Sequence, residues 1–288
     1  MRHCVFLTMD SLEGFVSDDA LTHEPLARLG WQVHSVSWRK PNVDWGAYDA
    51  VIIRTPWDYQ QDPSTFLETL QAIEASGTPL ANKLDLVRWN IDKTYLRDLE
   101  QQDIRIVPTQ WLKQFQRETV EQWWQDWSTP ELIIKPTISA NADDTFWLSR
   151  PTPETVWETI AQTFRQRPLM VQPFLPAILE EGEYSLFFFG GAYSHAIVKT
   201  PKPQDFRVQE EHGGLIRPTQ PTAALLRTAQ QIHEAVQPTP LYARIDLVRM
   251  PEGEFALMEV ELIEPSLYFR TSAQSPARFS RAIDAYFR

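Results

Sequence analysis

The chain has 288 residues, enough for two or three packed subdomains, and its 43% hydrophobic and 23% charged content is that of a soluble globular protein. A net charge of -11 argues against a general nucleic-acid binder, which needs a basic footprint, and no apolar run approaches the ~18 residues of a membrane helix. The single cysteine, Cys4, excludes an intrachain disulfide and points to a reducing compartment, the cytoplasm.

Arg2 and His3, then apolar residues broken by Asp10, Glu13, Asp18 and Asp19, read as a first strand and its loop, not a signal peptide. Val5 to Met9 is the strand, with Cys4 a small core residue beside it. Leu21 to Leu29 has helical spacing with Gly30 as its cap. Val33 to Trp38 and Ala50 to Arg54 are further strands, and Pro63 to Ser76 is a second helix. This βαβαβ order predicts a parallel sheet, whose ligands bind at the carboxyl ends of strands. Arg54, Thr55, Trp57 and Asp58 follow the third strand and are candidates to touch substrate; a plain capping loop is the alternative.

A helix over Asp92 to Gln101 follows, and Pro108 opens a new unit. Val120, Trp123, Trp124 and Trp127 fall on one helical stripe and read as core. Leu132 to Lys135 is a strand, Pro153 to Gln166 a helix and Leu169 to Phe174 a strand. Tyr184 to Phe189 and Tyr193 to Lys199 form a hairpin about Gly190-Gly191. Thr222 to Val236 is a helix, and a last hairpin spans Leu241 to Ile263. The histidines are scattered, with no pair at zinc-ligand spacing.

The last hairpin carries the most chemistry. A four-residue loop, Pro251 to Glu254, sets Met250 opposite Phe255, Asp246 opposite Glu259 and Arg244 opposite Glu261. Strand alternation then projects Arg244, Asp246, Glu259 and Glu261 from one face, and Ile245, Leu247, Met258, Val260 and Leu262 from the core face. Opposed carboxylates repel, and a hard divalent cation resolves the conflict, as magnesium does with one or two carboxylates plus phosphate oxygens. A solvated strand pair is the other reading, and spacing alone leaves both open. Neutralising Asp246 or Glu259 is expected to spare stability.

Taken in order, RTPWDY (54–59), WNIDKTYL (89–96), IIKP ending at Pro136, MVQPFLP (170–176), GEYSLFFFGG (182–191), SHAIVKTP (194–201), DFRVQEEHGG (205–214) and MEVELIEP (258–265) resemble the ATP-grasp superfamily. The likeness is to its cycloserine-ligase-like (O-ureido-serine cyclo-ligase) branch, related to bacterial glutathione synthetase and the ribosomal-protein glutamate ligases, and it covers nearly the whole chain. It implies an ATP-grasp fold: α/β plus α+β, with an N-terminal parallel βαβ domain over 1–88. The ATP-grasp domain over 89–288 would comprise a lid subdomain at about 105–170 and a large subdomain at about 171–288.

The resemblance also implies roles. Lys93 and Lys135 would hold ATP phosphates, with Ser139 in the loop that closes over them. Lys93 alone would read as a solvated helix lysine. Val171 to Phe174, with Gln172 and Pro173, would be the hinge that reads adenine, and Glu183 would stand near the ribose. Lys199 and Arg207 would be further phosphate contacts, Arg207 acting in catalysis with Arg244, which would steady the transferred phosphoryl and the acyl phosphate. Asp246 and Glu259 would be magnesium carboxylates, two Mg²⁺ ions being expected and Mn²⁺ an acceptable substitute. Two departures stand out: Glu261, the third metal ligand the resemblance implies, stands where relatives commonly have asparagine and adds a negative charge, and the loop TISANADD (137–144) has no glycine, which makes close approach to phosphate sterically harder.

The implied activity is ATP-dependent ligation of a small amino-acid-like acid to an amine through an acyl phosphate, an intramolecular cyclisation being one form. Arg54 would hold a substrate carboxylate and Asp58 an ammonium. The partners would be small molecules, without nucleic acid or membrane, and a homo-oligomer stays open. A non-catalytic or regulatory ATP-binding protein and an ATP-dependent phosphotransferase are the rival readings.

Overall fold

In the computed structural model, which describes residues 1–288, three sheets arise from three local patterns in the chain. The first comes from β1 (Arg2–Thr8), α1 (His23–Arg28), β2 (Trp31–Ser37), β3 (Ala50–Thr55), α2 (Pro63–Ala75) and β4 (Leu80–Ala81). The strands are parallel in the order β2-β1-β3-β4. Every residue of β3 is buried, as a central parallel strand covered on both faces requires. The Asp62 carboxylate accepts from the Thr65 amide (3.2 Å), and Pro63 opens the first turn, so α2 is capped by its own sequence. The Cys4 thiol is buried, which pushes its pKa up to about 12 and leaves it inert as a nucleophile.

The helix expected from Asp92 starts three residues late and follows a separate helix. Before it lies an unanticipated α3 (Leu84–Asn90), and the expected helix itself begins late as α4 (Tyr95–Glu100). Side-chain bonds of Asp92 explain the break. Its carboxylate accepts from the Thr94 amide (2.9 Å) and from the Thr137 hydroxyl (3.0 Å), which holds Lys93 in a turn between the helices.

The second sheet contains β5 (Gln110–Leu112), β6 (Glu131–Pro136), β7 (Phe146–Ser149) and β8 (Leu169–Pro173) in the order β5-β8-β6-β7, all antiparallel. Helices α5 (Arg117–Asp126) and α6 (Glu154–Thr163) cover it, with Val120 and Trp124 buried and Trp124 edge-on to Trp157 at 5.9 Å. The boundary expected between 170 and 171 falls inside β8. β8 bonds to β6 along its whole length and to β5 over Leu169–Val171.

The third sheet, preceded by α7 (Ala177–Glu180), contains β9 (Glu183–Phe189), β10 (Ala192–Thr200), β11 (Leu215–Thr219), β12 (Tyr242–Arg249) and β13 (Phe255–Glu261). It is antiparallel, in the order β11-β10-β9-β12-β13. The β9–β10 turn places Gly190 at φ 55° and Gly191 at φ 86°, the left-handed pair that a tight two-residue turn demands. One face packs α8 (Ala223–Ala235) through Leu225, Ala229 and Ile232 onto Leu186, Phe188 and Ile245. Part of the other joins the first unit and α9 (Ser275–Tyr286), where Phe6 and Ile52 share a core with Phe187, Tyr242 and Phe279. Asn82 and Asn90 fasten the joint. Asn82 Nδ2 donates to the Tyr242 and Leu262 carbonyls (3.0 and 2.8 Å), and Asn90 Oδ1 accepts from the Leu262 amide (3.0 Å).

In the last hairpin, Asp246 faces Glu259 and Arg244 faces Glu261, as expected, but by a different route. Arg249, not Met250, opposes Phe255, so the loop is one residue longer than a four-residue turn. A bulge between Asp246 and Leu247 leaves Met258 unpaired and restores the register. Met258 therefore leaves the core face and lines the cleft described next.

No helix is long and apolar enough to cross a membrane.

Candidate active site

One cleft is walled by the second and third sheets and closed at one end by the first unit, and every residue proposed from sequence lines it except Arg54, Thr55, Asp58 and, in the hinge, Val171. Lys135 points in from the end of β6, and Gln172 and Pro173 from the end of β8, with Phe174 just after. Glu183 opens β9 beside Lys199 at the end of β10. Arg244 and Asp246 come from β12, Glu259 and Glu261 from β13, Lys93 from the turn before α4, and Ser139 from the loop after β6.

The charges in its middle satisfy one another. Asp246 accepts from Arg244 (3.0 and 3.1 Å), from Lys199 (3.3 Å) and from the Ser185 hydroxyl (2.6 Å). Lys199 also pairs with Glu183, and Arg244 with Glu261. Lys93 bridges the Glu259 carboxylate (3.0 Å) and the Ser139 carbonyl (2.8 Å). Burial opposes the Asp246 charge, but Arg244 and Lys199 outweigh it and hold the carboxyl below the usual range. Burial wins at Glu261, pushed up to about 7 despite Arg244, and at Glu183, raised despite Lys199. Burial and the nearby Lys93 lower the Lys135 ammonium, although Glu259 and Glu183 oppose the shift. Lys135 has no ion-pair partner within the protein, whereas Lys93, Lys199 and Arg244 all do.

This network corrects the expectation that neutralising Asp246 spares stability. Its direct partners are Arg244 and Lys199, so its removal leaves each of these buried cations with one carboxylate, Glu261 or Glu183, rather than relieving repulsion.

The end of the cleft beside β8 is mostly apolar, with Val107, Ile133, Phe174, Leu175, Ile178 and Met258 around the Gln172–Phe174 backbone. Phe174 packs on Trp147 (4.7 Å between ring centroids) and Gln172 is held by Thr109 (2.9 Å). Arg207 is braced by Asp205, which accepts from its guanidinium (2.9 and 3.0 Å) and from its amide (3.0 Å). The glycine-free loop solves its steric problem with Asn141, Ala142 and Asp144 in the left-handed region, at φ 52°, 57° and 52°.

Arg54 and Asp58 do not form the expected carboxylate and ammonium pair around one ligand. Arg54 is 1% exposed and donates to Asp19 (3.0 and 3.2 Å) and the Pro265 carbonyl (3.3 Å). Asp58 is held outside the cleft lining by Trp38 (2.7 Å) and Arg39 (2.9 Å). The physical reason lies in the strand. β3 is central, so its last side chains pack inward, and only Trp57 and Tyr59 beyond it reach the cleft. Sequence reasoning missed Asn90, Glu264, Ser266 and Tyr268, which also line it. The available signal was the continuation of the acidic hairpin into Glu264-Pro265.

Asp246, Glu259 and Glu261 do not converge, and no three acids or histidines are set as a ready metal cage. The donors are all oxygen, and magnesium usually takes one or two carboxylates plus phosphate oxygens. The set therefore fits a magnesium–nucleotide complex better than a metal held by protein alone.

Residues 4–82 match the family described as the N-terminal domain of D-cycloserine synthetase DcsG. Over 281 residues, 90% of each protein, the chain is 27% identical to the cycloserine biosynthesis protein DcsG of Streptomyces lavendulae. The crystal structure of D-cycloserine synthetase DcsG superposes with a TM-score of 0.88 at 25% identity, covering 99% of this chain and all of that one. D-alanine–D-alanine ligase from Bacillus anthracis superposes at 0.69 and 12% identity, covering 99% and 95% of the two chains. An ATP-grasp RimK-domain protein from Sphaerobacter thermophilus does so at 0.69 and 16%, covering 99% of each. The fold is thus ATP-grasp, and the chain is an ADP-forming ligase that makes a C–N bond. Among the ATP-grasp ligases its likeness is to the D-cycloserine synthetases, through residues 4–82 and through the 27% identity to DcsG.

Proposed function

We propose that the chain joins a small amino-acid-like acid to an amine at the expense of ATP, through an acyl phosphate, with ring closure within one molecule as one form of the reaction. The observation that carries this reading is Lys135. It is a half-buried ammonium without a protein counter-ion, aimed into a cleft where every other lysine is already paired. A buried cation left unpaired is costly, and a phosphate oxygen is the ligand that relieves it.

In this reading adenine lies in the apolar end against the Gln172–Phe174 backbone, with Glu183 at the ribose. Lys93, Lys135, Lys199 and Arg207 bind the phosphates as fixed charges, with Ser139 in the loop above them. Asp246, Glu259 and Glu261 would hold Mg²⁺, two ions in number with Mn²⁺ able to substitute. The bound metal supplies charge neutralisation on the phosphoryl oxygens. A substrate carboxylate oxygen attacks the γ-phosphorus, the bond to ADP breaks, and the acyl phosphate remains. An amine nitrogen then attacks the carbonyl carbon, phosphate leaves, and the nitrogen gives up its proton. Arg244 is set to face the oxyanion of that second step. The unit over 1–88 closes the substrate end, and the ATP-grasp domain over 89–288 clamps the nucleotide. The small-molecule chemistry and acidic surface suit a cytoplasmic enzyme that needs neither nucleic acid nor a membrane.

The test is ADP release from Mg-ATP over a panel of amino acids, with hydroxylamine present. The expected result is acid-dependent ADP and phosphate formation with a hydroxamate trapped. ADP release with a stable phosphorylated product and no hydroxamate would favour a phosphotransferase instead.

A further inference from the structure

Five consecutive backbone carbonyls beyond β13, from Ile263 to Leu267, each accept a hydrogen bond from a different side chain. Tyr242 Oη shares its one proton between Ile263 (2.8 Å) and Ile53 (2.6 Å), Trp57 Nε1 donates to Glu264 (2.9 Å) and Arg54 Nη2 to Pro265 (3.3 Å). Arg244 Nη1 donates to Ser266 (3.3 Å) and His195 Nε2 to Leu267 (3.0 Å). The donors come from β10, β12 and the end of β3, so both the first unit and the third sheet grip this strap. A connecting segment ordinarily runs over the surface and satisfies its carbonyls with water. Here the protein supplies every donor, and the path of the strap is set from outside it.

The saturated backbone decides where the side chains go. Glu264, Ser266 and Tyr268 alternate into the cleft, and Leu267 turns into the core. Tyr268 sits at φ 44°, a left-handed conformation that a bulky residue adopts only when its surroundings impose it.

Glu264 differs from the other half-buried or buried carboxylates of the cleft. Glu183, Asp246, Glu259 and Glu261 each pair with a lysine or arginine, and Glu264 pairs with none. It stands beside Trp57 and Tyr59 in the cleft lining. Burial, and Glu261 after it, push its carboxyl well above the usual range against the pull of Lys93 and Arg244, so only a cation in direct contact would hold it ionised.

We propose that Glu264 receives the protonated amino group of the acid substrate, and that Arg54, Trp57 and His195 are positioning residues that aim it through the carbonyls of the strap. This rests on the ligase reading above and narrows its substrate class to compact acids bearing a primary ammonium. An ammonium offers three donors, and the Ser266 hydroxyl on the same face offers a second acceptor. An acid lacking the amine leaves Glu264 desolvated and unpaired, so the site selects against it.

The experiment measures ADP release against matched acids with and without the amine, alanine with propionate and serine with 3-hydroxypropionate, and measures the Mg-ATP thermal shift separately. Glu264→Gln should raise the KM for the amino acids on the order of 10²-fold, the loss seen when one partner of a buried charge pair is removed. The KM for ATP and the thermal shift should stay as in the wild type. Glu264→Leu, a second variant checked for folding by its melt, should narrow or reverse the preference for the amine-bearing acid. Arg54→Lys should raise the amino-acid KM roughly 10-fold, and this effect should vanish in the Glu264→Gln background, a coupling expected of groups that act as one unit. Amino-acid-dependent ADP release that both Glu264 variants leave unaltered overturns the proposal and leaves the ligase reading standing. A wild type that no acid stimulates overturns both, whatever its thermal shift with Mg-ATP.

Discussion

The middle of the cleft and its far wall hold their groups by opposite means. In the middle, side chains satisfy side chains: Asp246 with Arg244 and Lys199, Glu259 with Lys93, Glu183 with Lys199. Along the strap, side chains satisfy backbone, one donor to each carbonyl from Glu264 to Leu267, while Ile263 shares the Tyr242 proton with Ile53. Ion pairs can be exchanged for a ligand's own charges one at a time, which suits a tract proposed to meet polyphosphate and metal on every turnover. Carbonyls already saturated by the protein have nothing to exchange, which suits a wall that must keep its shape. Arg244 belongs to both, because its Nη2 holds Asp246 while its Nη1 holds Ser266. It is the one side chain through which filling the tract can be felt at the strap.

The comparison breaks first at Asp246. Asp246→Asn leaves two buried cations short of a partner and should cost about 3–5 kcal/mol in the absence of nucleotide. Glu259→Gln touches a more exposed pair and should cost under about 1 kcal/mol. Urea unfolding of the two variants side by side measures the difference, and equal small losses would mean that the tract is not a buried network. Lys135→Met comes next. It should abolish most of the Mg-ATP thermal shift and lower turnover by about 10²–10³, the scale of one charge-stabilising donor. Its apo stability should hold or rise, since an unpaired buried cation is removed.

The strap has its own handle in His195. Burial lowers this imidazole to about 4, with Arg278 adding to burial and the bond to Leu267 opposing it. A carbonyl can only accept, so Nε2 carries the proton and the ring is neutral. A histidine depressed on folding leaves stability intact above about pH 6.5, its unfolded value. Stability falls as pH drops toward 4, because the unfolded chain takes up a proton that the folded chain refuses. Between pH 7 and pH 5 the loss should be about 2 kcal/mol. His195→Gln keeps an N–H donor without the titration, so the difference in pH slope between it and the wild type isolates this residue. Identical slopes would remove His195 from the account of the strap.

The two regions also differed in how far they could be read from sequence. Strand alternation places Arg244, Asp246, Glu259 and Glu261 on one face, and the ATP-grasp resemblance adds Lys93, Lys135 and Lys199, which all line the cleft. Local pattern suffices there because each group rides a regular element. Even so, the hairpin register was reached through two departures that cancel, a longer loop and a bulge, and Met258 was misplaced as a result. The strap depends on contacts across great separations, such as Arg54 to Pro265 and Trp57 to Glu264, and no periodicity encodes them. Arg54 looked like a ligand clamp because arginine at a strand end usually faces solvent. Here α9 and the strap close over it, with Phe279 5.6 Å from its guanidinium carbon.

The smallest effect concerns the loop over the phosphate tract, which follows neither plan. Asn141, Ala142 and Asp144 all take left-handed backbone, and His212 bonds the Asn141 carbonyl (2.9 Å). Asparagine and aspartate tolerate that region, because their short polar side chains bond locally, whereas alanine has only its Cβ clash, worth about 1–2 kcal/mol. Glycine at 142 removes the clash but gives the unfolded chain more freedom, which offsets about 0.4–1 kcal/mol. Ala142→Gly should therefore stabilise the protein by roughly 0.5 kcal/mol, the difference between those two terms. Asn141→Gly, with little strain to relieve, should be neutral or slightly destabilising. Guanidinium unfolding resolves the sign if the two variants are compared directly. A loss of stability in Ala142→Gly would mean that residue 142 leaves the left-handed region in solution. The loop would then owe its shape to the contacts of Asp92, Lys93, Arg167 and His212, and would join the tract as a part that ligand binding can rearrange.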